Sequence, residues 1–222
     1  MPVATTTDFL EVIAHMRPGS CYRAEDVSWD EYEQLLVDLG PSYSARIFYD
    51  QGRMEIMSPS YYHEKPPSLI HRLISVLSDE LDIDIESAGS TTFREEIKAK
   101  GAEPDESFYI QHAAQIIGKH DEFDLRYDPP PDLVVESDYT SSSLDKFSIY
   151  AGLGVPEIWR FYLNQVRIWL LVEDHYEESS NSRAFPSLTS EALSEFVAKG
   201  LAEGERKAAR MFREWVRKQR VR

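Results

Sequence analysis

The sequence predicts a mixed α/β fold, of the α/β or α+β kind, with helices laid on a mixed β-sheet. Three observations lead there. Helical and strand-like stretches alternate along the chain, but with no regular βαβ period. The segment SLIHRLISVLSDELDI places Leu69, Ile70, Leu73, Ile74, Leu77 and Leu81 on one helical stripe, as a helix lying on a core requires. Between Gly101 and Pro156, two short β-type runs, DESFYI and DLVVES, each carry carboxylates at an end, and a short helix with a lysine near its start follows.

At 222 residues, 42% apolar and 12% aromatic, the chain has enough apolar surface for one domain's core with a small appended lobe. No apolar run approaches the ~20 residues of a membrane helix. The opening MPVATTTDFLEVIAHMR has Glu11 inside its only apolar patch and no basic start, so it does not read as a signal peptide. A lone cysteine, Cys21, makes no intrachain disulfide, and a cytoplasmic protein with no membrane partner is expected. The net charge of −15 disfavours non-specific binding to nucleic acid, which needs surplus Lys and Arg. That charge is uneven: residues 206–222 hold eight of the 24 basic groups and one of the 39 acids, leaving the first 205 residues at −22. An acidic body also serves solubility alone.

In chain order, Ser28 and Glu31 form a capping box that opens WDEYEQLLVDLG, and Gly40-Pro41 stops that helix. ARIFY and RMEIM around Asp50-Gln51-Gly52 read as a hairpin. Residues 1–58 are expected as a helix-and-hairpin lobe, 59–200 as the core, and 201–222 as a basic C-terminal helix. Pro66-Pro67 is expected to precede the amphipathic helix, leaving His63 and Glu64 in a loop and His71 as a satisfied histidine. DIDIESAGSTTFREE suggests two strands about a turn at Ala88-Gly89-Ser90. SSSLDKFSIYAGLG reads as a serine-capped helix with Leu144, Phe147 and Tyr150 inward. PEIWRFY and VRIWLLVE form a hairpin about Asn164-Gln165, HYEESSNSR is a polar connection, and two helices close the chain. The last is amphipathic, with Met211, Phe212, Trp215 and Val216 on its apolar side. It suits phosphates, the acidic body of its own chain or a second subunit. It and the hairpin are the two surfaces through which a homodimer would form.

Side chains alternate along a strand, so Asp132, Val134, Glu136 and Asp138 share one face. Asp132 and Glu136 would stand roughly 13 Å apart, too far for one cation with ~2.1 Å bonds. Glu136 and Asp138 are about 7 Å apart. If DESFYI runs antiparallel beside DLVVES, Asp105 meets Glu136, with opposed Cα atoms ~5 Å apart. Asp105 and Glu136 are thus the expected pair, and Asp132 a strand-start residue. Two hard oxygen ligands with open water positions suit Mg²⁺ or Mn²⁺, which activates water and offsets charge on a phosphoryl group. Lys146 could return its ammonium to these acids and stabilise that charge, or remain an exposed lysine paired with a nearby acid.

AEPDESFYI followed by PPDLVVESDYTSSSLDKFSIYAGLGVPEIWRF, with YDQGRMEIMSPSYYHE ahead of it, resembles the Uma family of restriction-endonuclease-like proteins in the PD-(D/E)XK superfamily, over roughly residues 28–195. The resemblance implies a restriction-endonuclease-like core whose nucleases use Pro-Asp … (Asp/Glu)-x-Lys. Here Pro104-Asp105 supplies the first acid and Glu136 the second, while Asp138 stands where the motif has lysine. Lys146 matches nucleases of the fold that carry the lysine on the following helix, and His63 matches a family loop histidine. The reading that follows is a metal-dependent endonuclease on DNA, with Asp105 and Glu136 holding the cation, Asp138 assisting and Lys146 stabilising the transition state. A catalytically inactive nuclease-fold protein that binds nucleic acid or protein is the alternative. A sugar hydrolase using Glu103 or Glu106 with Glu136 is a weaker third.

Overall fold

A computed structural model describes residues 8–40, 43–119, 123–138 and 145–220. Their order is α1 (Phe9–His15), β1 (Cys21–Ala24), α2 (Trp29–Leu39), β2 (Arg46–Asp50), β3 (Arg53–Met57), α3 (Tyr61–Leu81), β4 (Glu86–Ser87), β5 (Phe93–Glu95), β6 (Lys100–Ala102), β7 (Glu106–Tyr109), α4 (Ala113–Ile116), β8 (Leu133–Ser137), α5 (Lys146–Leu153), β9 (Glu157–Tyr162), β10 (Gln165–Val172), β11 (His175–Ser179), α6 (Ser190–Glu203) and α7 (Glu205–Arg220). Two sheets result: an antiparallel one ordered β1-β3-β2-β6-β5, and a mixed one ordered β11-β10-β9-β8-β7-β4. Only β8 and β9 run parallel, as the crossover through α5 requires.

Local chemistry accounts for the elements that sequence reading located. Ser28 and Glu31 exchange both capping-box bonds at the start of α2. Gln51-Gly52 and Leu163-Asn164 close two-residue hairpins with positive φ at both central positions, the geometry that matches strand twist. The second turn therefore sits one residue earlier than expected.

Four stretches differ from expectation. Helix α3 begins at Tyr61 and carries Pro66 and Pro67 inside it. Proline removes a ladder bond there, but the first turn is held by the Ser60 carbonyl, which accepts from the N–H of His63 and Glu64. His63 and Glu64 are thus helical, not in a loop. The flanks of the 88–90 turn part: β4 joins β7 in the mixed sheet, whereas β5 joins β6 and completes the sheet begun by the hairpin. HYEESSNSR contains the polar edge strand β11, whose Tyr176 donates its hydroxyl to Val155 O at 2.6 Å. Helix α5 is capped by Asp145 rather than by a serine; Leu144 and Ser141–Ser143 lie outside the described residues.

The cores follow from strand alternation. Leu133 and Val135 of β8 face one cluster with α3, α6 and α7, whereas Val134 faces a second with Ile149, Tyr150 and Leu153 of α5. The basic helix α7 docks on its own chain: Phe212 and Val216 enter the first cluster, Arg213 reaches Asp79 at 2.9 Å, and Arg217 forks onto Glu80 at 2.7 and 3.0 Å. Arg217 holds the Glu80 carboxyl below its ordinary range. Both hairpin strands are likewise covered, β3 by β1 and β2 by β6. Among the described residues no helix is long and apolar enough to cross a membrane.

Gly101 of β6 pairs with Tyr49 beneath the wholly buried ring of Tyr32, itself stacked on Tyr49 at 4.8 Å. A Cβ there would fall on the Tyr32 hydroxyl and 2.7 Å from its Cζ. Gly101→Ala should therefore destabilise the protein by about 1–3 kcal/mol, lowering Tm by several degrees in a calorimetric scan.

Candidate active site

Strand β8 is buried along its whole length in the middle of the mixed sheet. Val134 points to the α5 side, so Glu136, two residues on, points there as well. On β7 the alternation runs the other way from Glu106, whose carboxylate meets His71 of α3 at 3.0 Å. That contact directs Glu106 to the α3 face and its neighbour Asp105 to the α5 face. The pairs Glu106↔Val135 and Ser107↔Val134 fix the register, and one step further sets Asp105 opposite Glu136. Asp105 Oδ2 accepts the Ser137 N–H at 2.7 Å, tying the start of β7 to the end of β8.

Helix α5 brings Lys146 and Tyr150, one turn apart, onto the same acids. Lys146 Nζ donates to Glu136 Oε2 at 2.6 Å and stands 3.6 Å from Asp138 Oδ1. The Tyr150 hydroxyl donates to Glu136 Oε1. Lys146 is not the exposed lysine that was one expectation: its side chain is 6% exposed and its ammonium lies 4.2 Å from the centre of the Phe48 ring. A cation in a first helical turn opposes the helix dipole by about 0.3–1 kcal/mol. A charge-assisted contact this short with a buried carboxylate outweighs that. Asp138 is bound from the other side by Arg160 Nε of β9 at 2.6 Å.

Three buried carboxyls therefore face the buried ammonium of Lys146 and the partly exposed guanidinium of Arg160. Burial, and then the charge of Glu136, push the Asp105 carboxyl well above the ordinary range. Burial also raises Glu136, although Lys146 works against it. Burial alone would lower Lys146, but Glu136, Asp138 and Asp105 together hold it above its usual value, so the ammonium stays charged. Tyr150 is kept protonated by burial and by Glu136, and so remains a donor.

The other acids have separate occupations. Asp132 accepts the N–H groups of Ile110 and His112 at 2.7 and 2.9 Å, as befits a strand-start residue. Glu103, raised by burial, accepts from Ile47 N–H at 2.7 Å, from Thr92 Oγ1 at 2.6 Å and from the Tyr43 hydroxyl. With Glu103 so bound and Glu106 on the opposite face, neither lies paired with Glu136 as a sugar hydrolase would need. His63 Nδ1 lies 3.1 Å from Ser137 O; since a carbonyl only accepts, the ring N–H points there. Tyr150 and Arg160 were missed as site residues. The four-residue spacing of Lys146 and Tyr150 was a readable signal; the placement of Arg160 depends on the parallel pairing Glu136↔Arg160.

The donor set suits a hard divalent cation. Asp105 and Glu136 offer carboxylates from facing positions, and an ionised carboxylate has about four lone-pair sites, so Glu136 can bond Lys146 and Tyr150 and still coordinate. Among the described residues no three His, Cys, Asp or Glu side chains form a closed cage. Two carboxylates with the remaining positions left to water and phosphate is a common arrangement for Mg²⁺.

Sheet and flanking helices define a mixed α/β fold. A crystal structure described as that of a putative nuclease belonging to DUF820 from Anabaena variabilis ATCC 29413 is similar, with a TM-score of 0.50 and 16% identity over 77% of this chain and 99% of that one. At that identity the likeness concerns the fold. The chain belongs to the Uma2 family, described as "Putative restriction endonuclease", whose model matches residues 29–202. No curated protein matches.

The buried ammonium is the counter-charge on which the three acids depend. Lys146→Met should destabilise the fold by roughly 3–5 kcal/mol in urea denaturation, because uncompensated buried charge remains. Adding Glu136→Gln should return part of that loss.

Proposed function

We propose that this protein is a metal-dependent endonuclease that hydrolyses DNA phosphodiester bonds. The observation that carries the reading is the facing pair Asp105 and Glu136, with Lys146 Nζ 2.6 Å from Glu136. Membership of a family described as restriction endonucleases supports the same class. Asp105 and Glu136 would hold Mg²⁺ or Mn²⁺, which supplies Lewis-acid stabilisation of phosphoryl charge and activation of water. Lys146, kept charged by the three acids, offers a preorganised donor to negative charge on the phosphoryl oxygens. Tyr150 fixes the Glu136 carboxylate from its other oxygen. Asp138 orients Lys146 and is itself held by Arg160, so its part is positioning. A cytoplasmic location accords with a DNA substrate and a single unpaired cysteine.

The inactive alternative draws on two features: the acidic body, and Asp138 at the position where the motif has lysine. Two measurements separate the readings. Mn²⁺ or Mg²⁺ at about a hundred times its Kd should stabilise wild type by about 2.7 kcal/mol and raise Tm by several degrees, with no rise in Asp105→Asn. Supercoiled plasmid should be cut by wild type and cut roughly a hundredfold more slowly or less by Glu136→Ala. Unchanged cutting in that variant would remove the proposed site.

A further inference from the structure

Beyond Glu103 lies a cavity of about 780 Å³ between the end of α2, the start of β2 and the 88–92 turn, lined in part by Tyr43, Arg46, Thr92, Arg94 and Phe123. Arg94 is engaged by Glu33 at 2.7 Å. Arg46 makes longer hydrogen bonds: its side chain is 13% exposed, its terminal nitrogens reach Ala45 O and Glu64 Oε1 only at 3.4 Å each, and its charge otherwise acts on the carboxyls of Glu103 and Asp105. Its Nε is buried with no acceptor among the described residues. A charged donor left in this state is costly, and a phosphate oxygen is the kind of acceptor that a guanidinium takes in a fork.

Arg46 also stands close to the acids. The N–H of its neighbour Ile47 bonds Glu103, two residues before Asp105. Its partner Glu64 belongs to the first turn of α3, where His63 is bonded to Ser137 O. The same turn presents Tyr61 and Tyr62 to solvent, 70% and 71% exposed, with ring centres 5.9 Å apart. The two rings stand edge to face at 74° in the turn whose Glu64 contacts Arg46, so each can offer a face to a base while the arginine offers a grip for phosphate.

Charge decides between strands. A duplex carries one negative charge per ~1.7 Å, and binding it rests mainly on neutralising phosphates. A protein at −15, its basic α7 docked on its own acidic groups Asp79 and Glu80, is poorly made for that. Stacking on aromatic rings is insensitive to that charge but requires bases that are not paired.

We propose that the substrate of this site is an unpaired DNA strand, held by Arg46 on a phosphate and by bases stacked on Tyr61 and Tyr62, with adjoining nucleotides in the neighbouring cavity. The inference rests on the nuclease reading of the same site and names its substrate class. Its test is binding without cutting: fluorescence anisotropy of a labelled oligonucleotide, single-stranded or as a duplex of the same sequence, with full-length protein in EDTA. The single strand should bind at least about tenfold tighter than the duplex, and Tyr61→Ala with Tyr62→Ala should weaken it about tenfold or more. Arg46→Gln should reduce the slope of log K against log salt by about 0.7, and Arg46→Lys should restore it. Duplex binding as tight as single-strand binding, no binding of either, or an unchanged affinity in the double tyrosine variant would overturn the proposal. A protein that prefers the single strand yet never cuts would instead overturn the nuclease reading and leave the unpaired strand as a ligand of this site, not its substrate.

Discussion

The contact between Lys146 and Glu136, 2.6 Å long and closed off from solvent, is the interaction on which the arrangement of this molecule turns. Three acids on the ends of β7 and β8 would repel one another in a medium of low polarity, and a buried unpaired carboxylate is costly. One ammonium from α5 and one guanidinium from β9 bind them from two sides. The pair does not cancel the acids completely, and Asp105 carries the remainder as a carboxyl raised by burial and by Glu136.

The same residue type has different roles in this chain because its neighbours differ. Asp132 is satisfied by two backbone N–H groups, and Glu103 by a backbone N–H and two hydroxyls. Those two hold segments together: Asp132 ties the end of β7 to the start of β8, and Glu103 joins β2 to the chain leading into β7. Asp105 and Glu136 instead meet each other and a lysine. Glu103 and Asp105 are separated by a single proline, so their division into structural and chemical parts is a matter of which face each presents.

Helix α3 connects core and site. Its apolar stripe from Leu69 to Leu77 lies in the larger cluster, while its first turn, ahead of two prolines, carries Tyr61, His63 and Glu64 to the ends of β8 and β2. The prolines weaken the helical ladder where that turn begins. Contacts with Ser137 and Arg46 replace part of what the ladder lacks.

Features that depend on neighbours along the chain could be read without coordinates. The capping box at Ser28, the hairpin at Gln51-Gly52, the stripe on α3 and the antiparallel facing of Asp105 and Glu136 were all legible, because they follow from turn chemistry and from periods of 2 and 3.6 residues. The edge strand β11 was not, since a mostly exposed strand shows no apolar alternation. Nor was the start of α3, where tertiary contacts override the prolines. The parting of β4 from β5 into different sheets was equally hidden, because runs of two or three residues take their partners from whichever longer edge is near. That Lys146 is buried on Glu136, that Arg160 restrains Asp138, and that Arg46 acts on Asp105 came from the closed fold alone. Each of these pairs residues from separate elements, and the burial that makes their charges matter exists only once the sheets and helices have closed around them.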